Sequence, residues 1–133
     1  MVAAVCSWHE RHEQSRAGIE RRLRRGERLT VAAHALVEAY AVLTRLPAPH
    51  RLTPADAWAL VGGNFGDPAR IVTLDAEAFV RLLGELAASG IGGGRGYDAL
   101  IAECARRGEA STLLTLNRRH FDPAPPGVRV EEP

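Results

Sequence analysis

The sequence predicts an α/β domain with a parallel sheet and helices on the sheet faces. Short apolar runs read as strands: Arg28 to Ala33, "RIVTL" at Arg70 to Leu74, "STLLTL" at Ser111 to Leu116, and a weaker "VRV" at Val128 to Val130. Between them lie longer stretches whose apolar residues recur at helical spacing. The punctuation is short and contains no linker or repeat, so the 133 residues read as one domain.

Taken in order, Ser7 followed by Glu10 fits a capping box for a helix from Trp8 to Arg25, with Gly26 as its terminator. After the first strand, a helix from His34 to Leu46 is stopped by Pro47. Thr53, Pro54 and Asp56 mark the next helix start, and that helix ends in "GGNFGDP". Asp75 caps a helix carrying Phe79, Leu82, Leu83 and Leu86 at helical spacing, which the run "GIGGGRG" breaks at Gly90. Tyr97 to Gly108 is the last helix.

Composition excludes several chemistries. All 17 basic residues are arginine, so a Walker lysine, a Schiff-base lysine and a lysine general base are impossible. The net charge of +1 demands no nucleic-acid partner, although "RRLRRGER" (Arg21 to Arg28) and Arg118 with Arg119 are local candidates; the alternative for the first is a solvated helix end. No apolar run approaches the ~20 residues of a membrane span, and the N-terminus lacks the pattern of a secretory signal. A soluble, cytoplasmic protein is expected. Cys6 and Cys104 are isolated and read as small core residues or idle thiols. "HERHE" is one residue short of HExxH, and His12 is expected to pad an apolar face with Trp8 and Ile19. The glycine run fails the dinucleotide fingerprint, and no GxSxG occurs.

Three positions remain as candidates for chemistry. Glu38 is the one residue of formal charge between Arg28 and Arg45, opposite a stripe of Leu36, Tyr40 and Leu43. It is either a carboxylate directed into a cleft or an exposed glutamate paired with Arg45. Asp98 lies in the first turn of its helix, where a carboxylate either caps backbone donors or reaches the same cleft as Glu38. Asn117, two residues after Thr115, ends the third strand; an amide and a hydroxyl there can orient water or a phosphate, or simply serve a turn. Two convergent carboxylates suit Mg²⁺ or Mn²⁺, hard ions that prefer oxygen ligands.

"AHALVEAYAVLTRLP" and "YDALIAECARRGEASTLLTLNRRHF", with their spacing, resemble the PIN-domain ribonucleases, in particular the VapC-type toxins of bacterial type II toxin-antitoxin pairs. The resemblance spans about Trp8 to Val130. It implies a three-layer α/β/α sandwich, an acidic metal site, Mg²⁺- or Mn²⁺-dependent endonucleolytic cleavage of RNA, inhibition by a cognate antitoxin, and a homodimer. By motif, Glu38 matches the glutamate of the family's second block and Asp98 the metal-binding aspartate of "YDALIA". Asn117 falls where many relatives have a further acid, after a threonine matched by Thr115. Arg95, Arg118 and Arg119 would meet RNA phosphates.

The chain departs from that pattern at its start. Relatives open with a short apolar strand ending in aspartate, whereas "MVAAVCSWHE" begins inside the following helix. Either the missing strand is encoded upstream of Met1 or the gene is a shortened relic; the joint retention of Glu38, Asp98 and "TLN" favours the former. The rival function is a catalytically impaired PIN-like module that binds an antitoxin or regulates. The 133-residue form is expected to bind metal poorly, to be unstable and to show little ribonuclease activity. Robust Mg²⁺-dependent cleavage by a mass-verified product of this length would contradict that.

Overall fold

In the computed structural model, which describes residues 1–133, the chain folds as two units, Met1–Ile71 with Pro133 and Val72–Glu132. The first unit begins with α1 (Val2–Val5) and α2 (His12–Arg24). The predicted capping box at Ser7 does not open α2. Cys6 is extended and ends α1, and the N-cap of α2 is Arg11, with no side-chain cap. The intervening donors find other partners: the Cys6 carbonyl accepts from His9 N–H at 2.9 Å, the His9 carbonyl from His12 N–H at 2.8 Å, and His9 Nδ1 from Arg11 N–H at 3.0 Å. The helix therefore starts four residues later than expected.

Its end follows the prediction. Gly26 has φ of +81°, Glu27 N–H reaches back to the Arg22 carbonyl at 3.2 Å, and Gly26 N–H reaches that of Leu23 at 2.9 Å. This pair of bonds is a Schellman motif, for which glycine suits the left-handed residue. Ion pairs join Arg22 to Glu27 and Arg24 to Glu20, at 3.1 and 3.5 Å.

Strand β1 (Thr30–Ala32) runs straight into α3 (Ala33–Arg45). The stripe read from the sequence does pack: Leu43 is fully buried, and with Cys6 and Ala39 it meets Ala57 and Val61 of α4 (Pro54–Val61), flanked by Leu36 and Tyr40. Thr53 caps α4 reciprocally, its Oγ1 accepting from Asp56 N–H at 3.1 Å and donating to Asp56 Oδ2 at 2.7 Å. The "GGNFG" segment, expected to end the helix, prolongs it as a π-helical turn over Gly62–Gly66. Phe65 is thereby packed against Val31 and Ala4.

β2 (Arg70–Val72) pairs with β1, and in the second unit β3 (Thr112–Leu114) runs parallel to β4 (Arg129–Glu131) in the register Leu113↔Val130. The α/β class holds. Each strand is only three residues long, and the strands associate as two separate pairs.

In the second unit, α5 (Ala76–Ala88) and α6 (Arg95–Arg107) precede β3. Asp75 caps α5 as predicted, with Oδ1 accepting from Ala78 N–H at 2.8 Å. The predicted apolar stripe of α5 is only partly interior: Leu86 is buried, whereas Phe79 and Leu83 are 42% and 52% exposed. Helical spacing places residues on one face but does not supply a partner for that face. The core of this unit is instead Leu113, Phe121 and Val128, covered by Ile101, Ala102 and Ala105 of α6.

The last turn of α6 is held by charge. Glu103 receives Arg106 in a bidentate fork, Nη2 to Oε1 at 2.7 Å and Nε to Oε2 at 2.8 Å, and also Arg107 Nε at 2.9 Å. Arg107 Nη1 continues to Asp75 Oδ2 at 3.2 Å, linking the end of α6 to the cap of α5. Chiefly through its bond from Arg106, the Glu103 carboxyl is lowered from the ordinary 4.5 to about 2. A depressed carboxylate pKa stabilises the fold above the unfolded value, and that stabilisation is lost as pH falls through the folded one.

Acid titration of wild type should therefore show stability declining between pH 4.5 and about 2. Glu103→Gln should flatten that limb and lower stability near neutral pH; an unchanged acid limb would remove Glu103 from the account. Independently, Leu43→Ala should cost ~2–5 kcal/mol in chemical denaturation, because it empties a fully buried site.

Candidate active site

The glycine run starts α6 earlier than the sequence suggests. Gly96 N–H bonds to the Gly93 carbonyl and Tyr97 N–H to that of Gly94, both at 3.1 Å, so the helix begins at Arg95 with Gly94 as N-cap. Asp98 consequently sits too far inside the helix to cap it. Its carboxylate, 21% exposed, instead takes the imidazole of His120, Nδ1 to Oδ2 at 3.0 Å. The other carboxylate oxygen has no protein partner.

The second nitrogen of His120, Nε2, lies 2.7 Å from Asn117 Nδ2. Asn117 N–H in turn donates to Thr115 Oγ1 at 3.0 Å. Asn117 and Thr115, separate candidates in the sequence, are thus hydrogen-bonded to each other and to His120, whose other ring nitrogen lies 3.0 Å from the Asp98 carboxylate. His120 was not singled out, although it stands in the quoted "TLNRRHF". The available signal was a histidine one residue before an aromatic that could bury and fix it.

His120 belongs to a 3₁₀ turn, Arg118–Phe121, closed by His120 N–H to the Asn117 carbonyl at 3.1 Å. Phe121 is buried while Arg118, Arg119 and His120 are exposed. Arg95, the first residue of α6, is also exposed. None of Arg95, Arg118 and Arg119 has a carboxylate partner, so their guanidinium groups are available to anions.

Glu38 lies in the first unit, on α3, with its side chain 43% exposed. His34 Nε2 lies 3.8 Å from its Oε2, and the Arg45 expected from the sequence is not its partner. His34 is one turn away, whereas Arg45 is two turns on, ~10 Å along the axis. The "HERHE" histidines are engaged by backbone: His9 accepts from Arg11 N–H, and His12 Nδ1 meets the Ala3 carbonyl at 3.0 Å. Trp8 stacks on His50 with ring centroids 4.4 Å apart, which corrects the expected packing with His12. Both thiols are buried, and burial pushes their pKa values up, so neither is an activated nucleophile.

The donors in the second unit are hard: the Asp98 carboxylate and the Asn117 amide. No group of three His, Cys, Asp or Glu side chains converges as a zinc cage would require. An ion of the Mg²⁺ type is held by one or two carboxylates together with water and substrate phosphate. An Asp98 oxygen without a protein partner fits that mode.

Comparison with known proteins gives the same direction. The PIN domain family model matches residues 1–124. The chain is 40% identical over 119 residues to Ribonuclease VapC40 of Mycobacterium tuberculosis, in strains CDC 1551 / Oshkosh and H37Rv alike, which covers 90% of this chain and 82% of the relative. To Ribonuclease VapC27 of strain H37Rv it is 36% identical over 120 residues, covering 90% and 74%. The match reaches over almost all of the chain, including the helices that carry Glu38 and Asp98, and the chain belongs to the PIN-domain family, in its VapC branch.

Proposed function

We propose that this protein is a metal-dependent endoribonuclease of the toxin type, hydrolysing RNA phosphodiester bonds and held in check by a small cognate antitoxin. The observation that carries the reading is the Asp98 carboxylate, fixed by His120 and presenting one unpartnered oxygen, in a chain that belongs to the VapC branch. Asp98 and, by its motif, Glu38 are the residues that would hold Mg²⁺ or Mn²⁺. When bound, such an ion supplies Lewis acidity at the phosphate and lowers the pKa of water.

The chain's own residues do the rest. Asn117 orients water or substrate through its amide oxygen. The Thr115 hydroxyl, while accepting from Asn117 N–H, keeps its own proton for a phosphate oxygen. Arg95, Arg118 and Arg119 position the RNA backbone by contacts that carry no sequence information. No helix is long and apolar enough to cross a membrane, and cytoplasmic action on RNA, as a homodimer, completes the reading.

Whatever the parent's rate on RNA with Mg²⁺, Asp98→Asn should reduce cleavage and host growth arrest to background while far-ultraviolet circular dichroism stays unchanged. Undiminished cleavage by that variant would overturn the assignment of Asp98.

A further inference from the structure

An apolar cavity of about 260 Å³ opens between α5 and α6 of the second unit, with Phe79, Leu82 and Leu83 on one side and Tyr97 and Leu100 on the other. Phe79, Leu83 and Tyr97 are 42%, 52% and 56% exposed, so large apolar side chains border it in water. Gly93 and Gly96 complete the lining, and a Cβ at either would meet no heavy atom within 4 Å. That rim is therefore open, and no charged residue lines the cavity.

Its place on α6 says what it fits. Tyr97 is followed directly by Asp98, and Arg95, exposed and without a carboxylate partner, lies one turn before Asp98. Side chains three apart are neighbours on a helix surface. A nucleotide whose phosphate lies at Arg95 and Asp98 thus has its base, one sugar ring away, beside Tyr97. The Tyr97 hydroxyl has no protein partner, which leaves a donor and an acceptor for the edge of that base.

We propose, building on the reading of this chain as a ribonuclease that works at Asp98, that the cavity is a nucleobase subsite: it takes one unpaired base of the RNA, stacked on Tyr97 and Phe79, while Arg95 holds the adjoining phosphate. Aromatic side chains are the usual platform for the splayed bases of single-stranded RNA. A peptide fits less well. A helix laid in a groove needs anchors repeated over two turns, and this cavity, smaller than the ~300–1,000 Å³ of ordinary ligand pockets, has room for one flat ring system. Stacking tolerates any base because each has a π face, so the Tyr97 hydroxyl is the group that can choose among them.

Binding is measured on the parent chain in EDTA at low salt, where the RNA stays whole and no metal is involved. The probe is a short single-stranded oligoribonucleotide, set against the same backbone made abasic at every position. The intact strand should shift the NMR methyl signals of Leu82, Leu83 and Leu100 and bind at least ~5-fold more tightly than the abasic one, the worth of one stacked base. Tyr97→Ala should weaken the intact strand ~5–150-fold and leave the abasic strand unchanged; Phe79→Ala should act in the same direction. Intact-strand binding that leaves those methyl signals in place, or that both variants retain in full, overturns the subsite while the ribonuclease reading stands. A parent that binds neither strand, or methyl shifts that follow protein concentration instead of RNA and so mark a second copy of the chain, overturns it as well. Cleavage that survives Asp98→Asn refutes the metal reading and leaves the binding result as it is.

Discussion

The burial of Phe121 is the constraint on which the chemistry of the second unit depends. Its ring closes the small core made with Leu113 and Val128, and burying a side chain of that size stabilises by ~1.5–3 kcal/mol. The neighbouring residues have little freedom left. His120 is directed at Asp98, while Arg118 and Arg119 remain in solvent. An apolar contact therefore decides where the polar groups point, without touching the site itself.

Charge is distributed to the same end. A chain with seventeen arginines and no lysine has many rigid, permanently charged donors to place. Glu103 absorbs two of them, Arg106 and Arg107, at the end of α6 far from Asp98, and Glu20 and Glu27 absorb others along α2. The arginines flanking Asp98 in sequence or turn, Arg95, Arg118 and Arg119, are left without carboxylates. This sorting keeps the guanidinium groups off the Asp98 carboxylate, where a bidentate pair would block a ligand.

Much of the fold was legible because its signals are local. Thr53 and Asp75 cap the helices they were expected to cap, Gly26 and Pro47 mark two ends, and the Leu36, Tyr40 and Leu43 stripe faces a core. The failures have one character. Ser7 lost its capping role to backbone carbonyls and the His9 ring, "GGNFG" continued a helix as a π turn, and Phe79 and Leu83 stayed exposed. In each case the outcome turned on which neighbour was within reach, and periodicity carries no information about that.

The site divides in the same way. Sequence by itself determined that carboxylates at 38 and 98 and an amide at 117 exist on elements of known type, and that lysine and thiol chemistries are excluded. It also contained the family motifs. Only the tertiary structure decided that Asp98 binds a histidine instead of capping its helix, that Glu38 faces His34 instead of Arg45, and that Asn117 spends its NH₂ on the same histidine. The physical reason is that side-chain hydrogen bonds of ~3 Å depend on rotamer and backbone placement, and these are set by packing between residues distant in sequence.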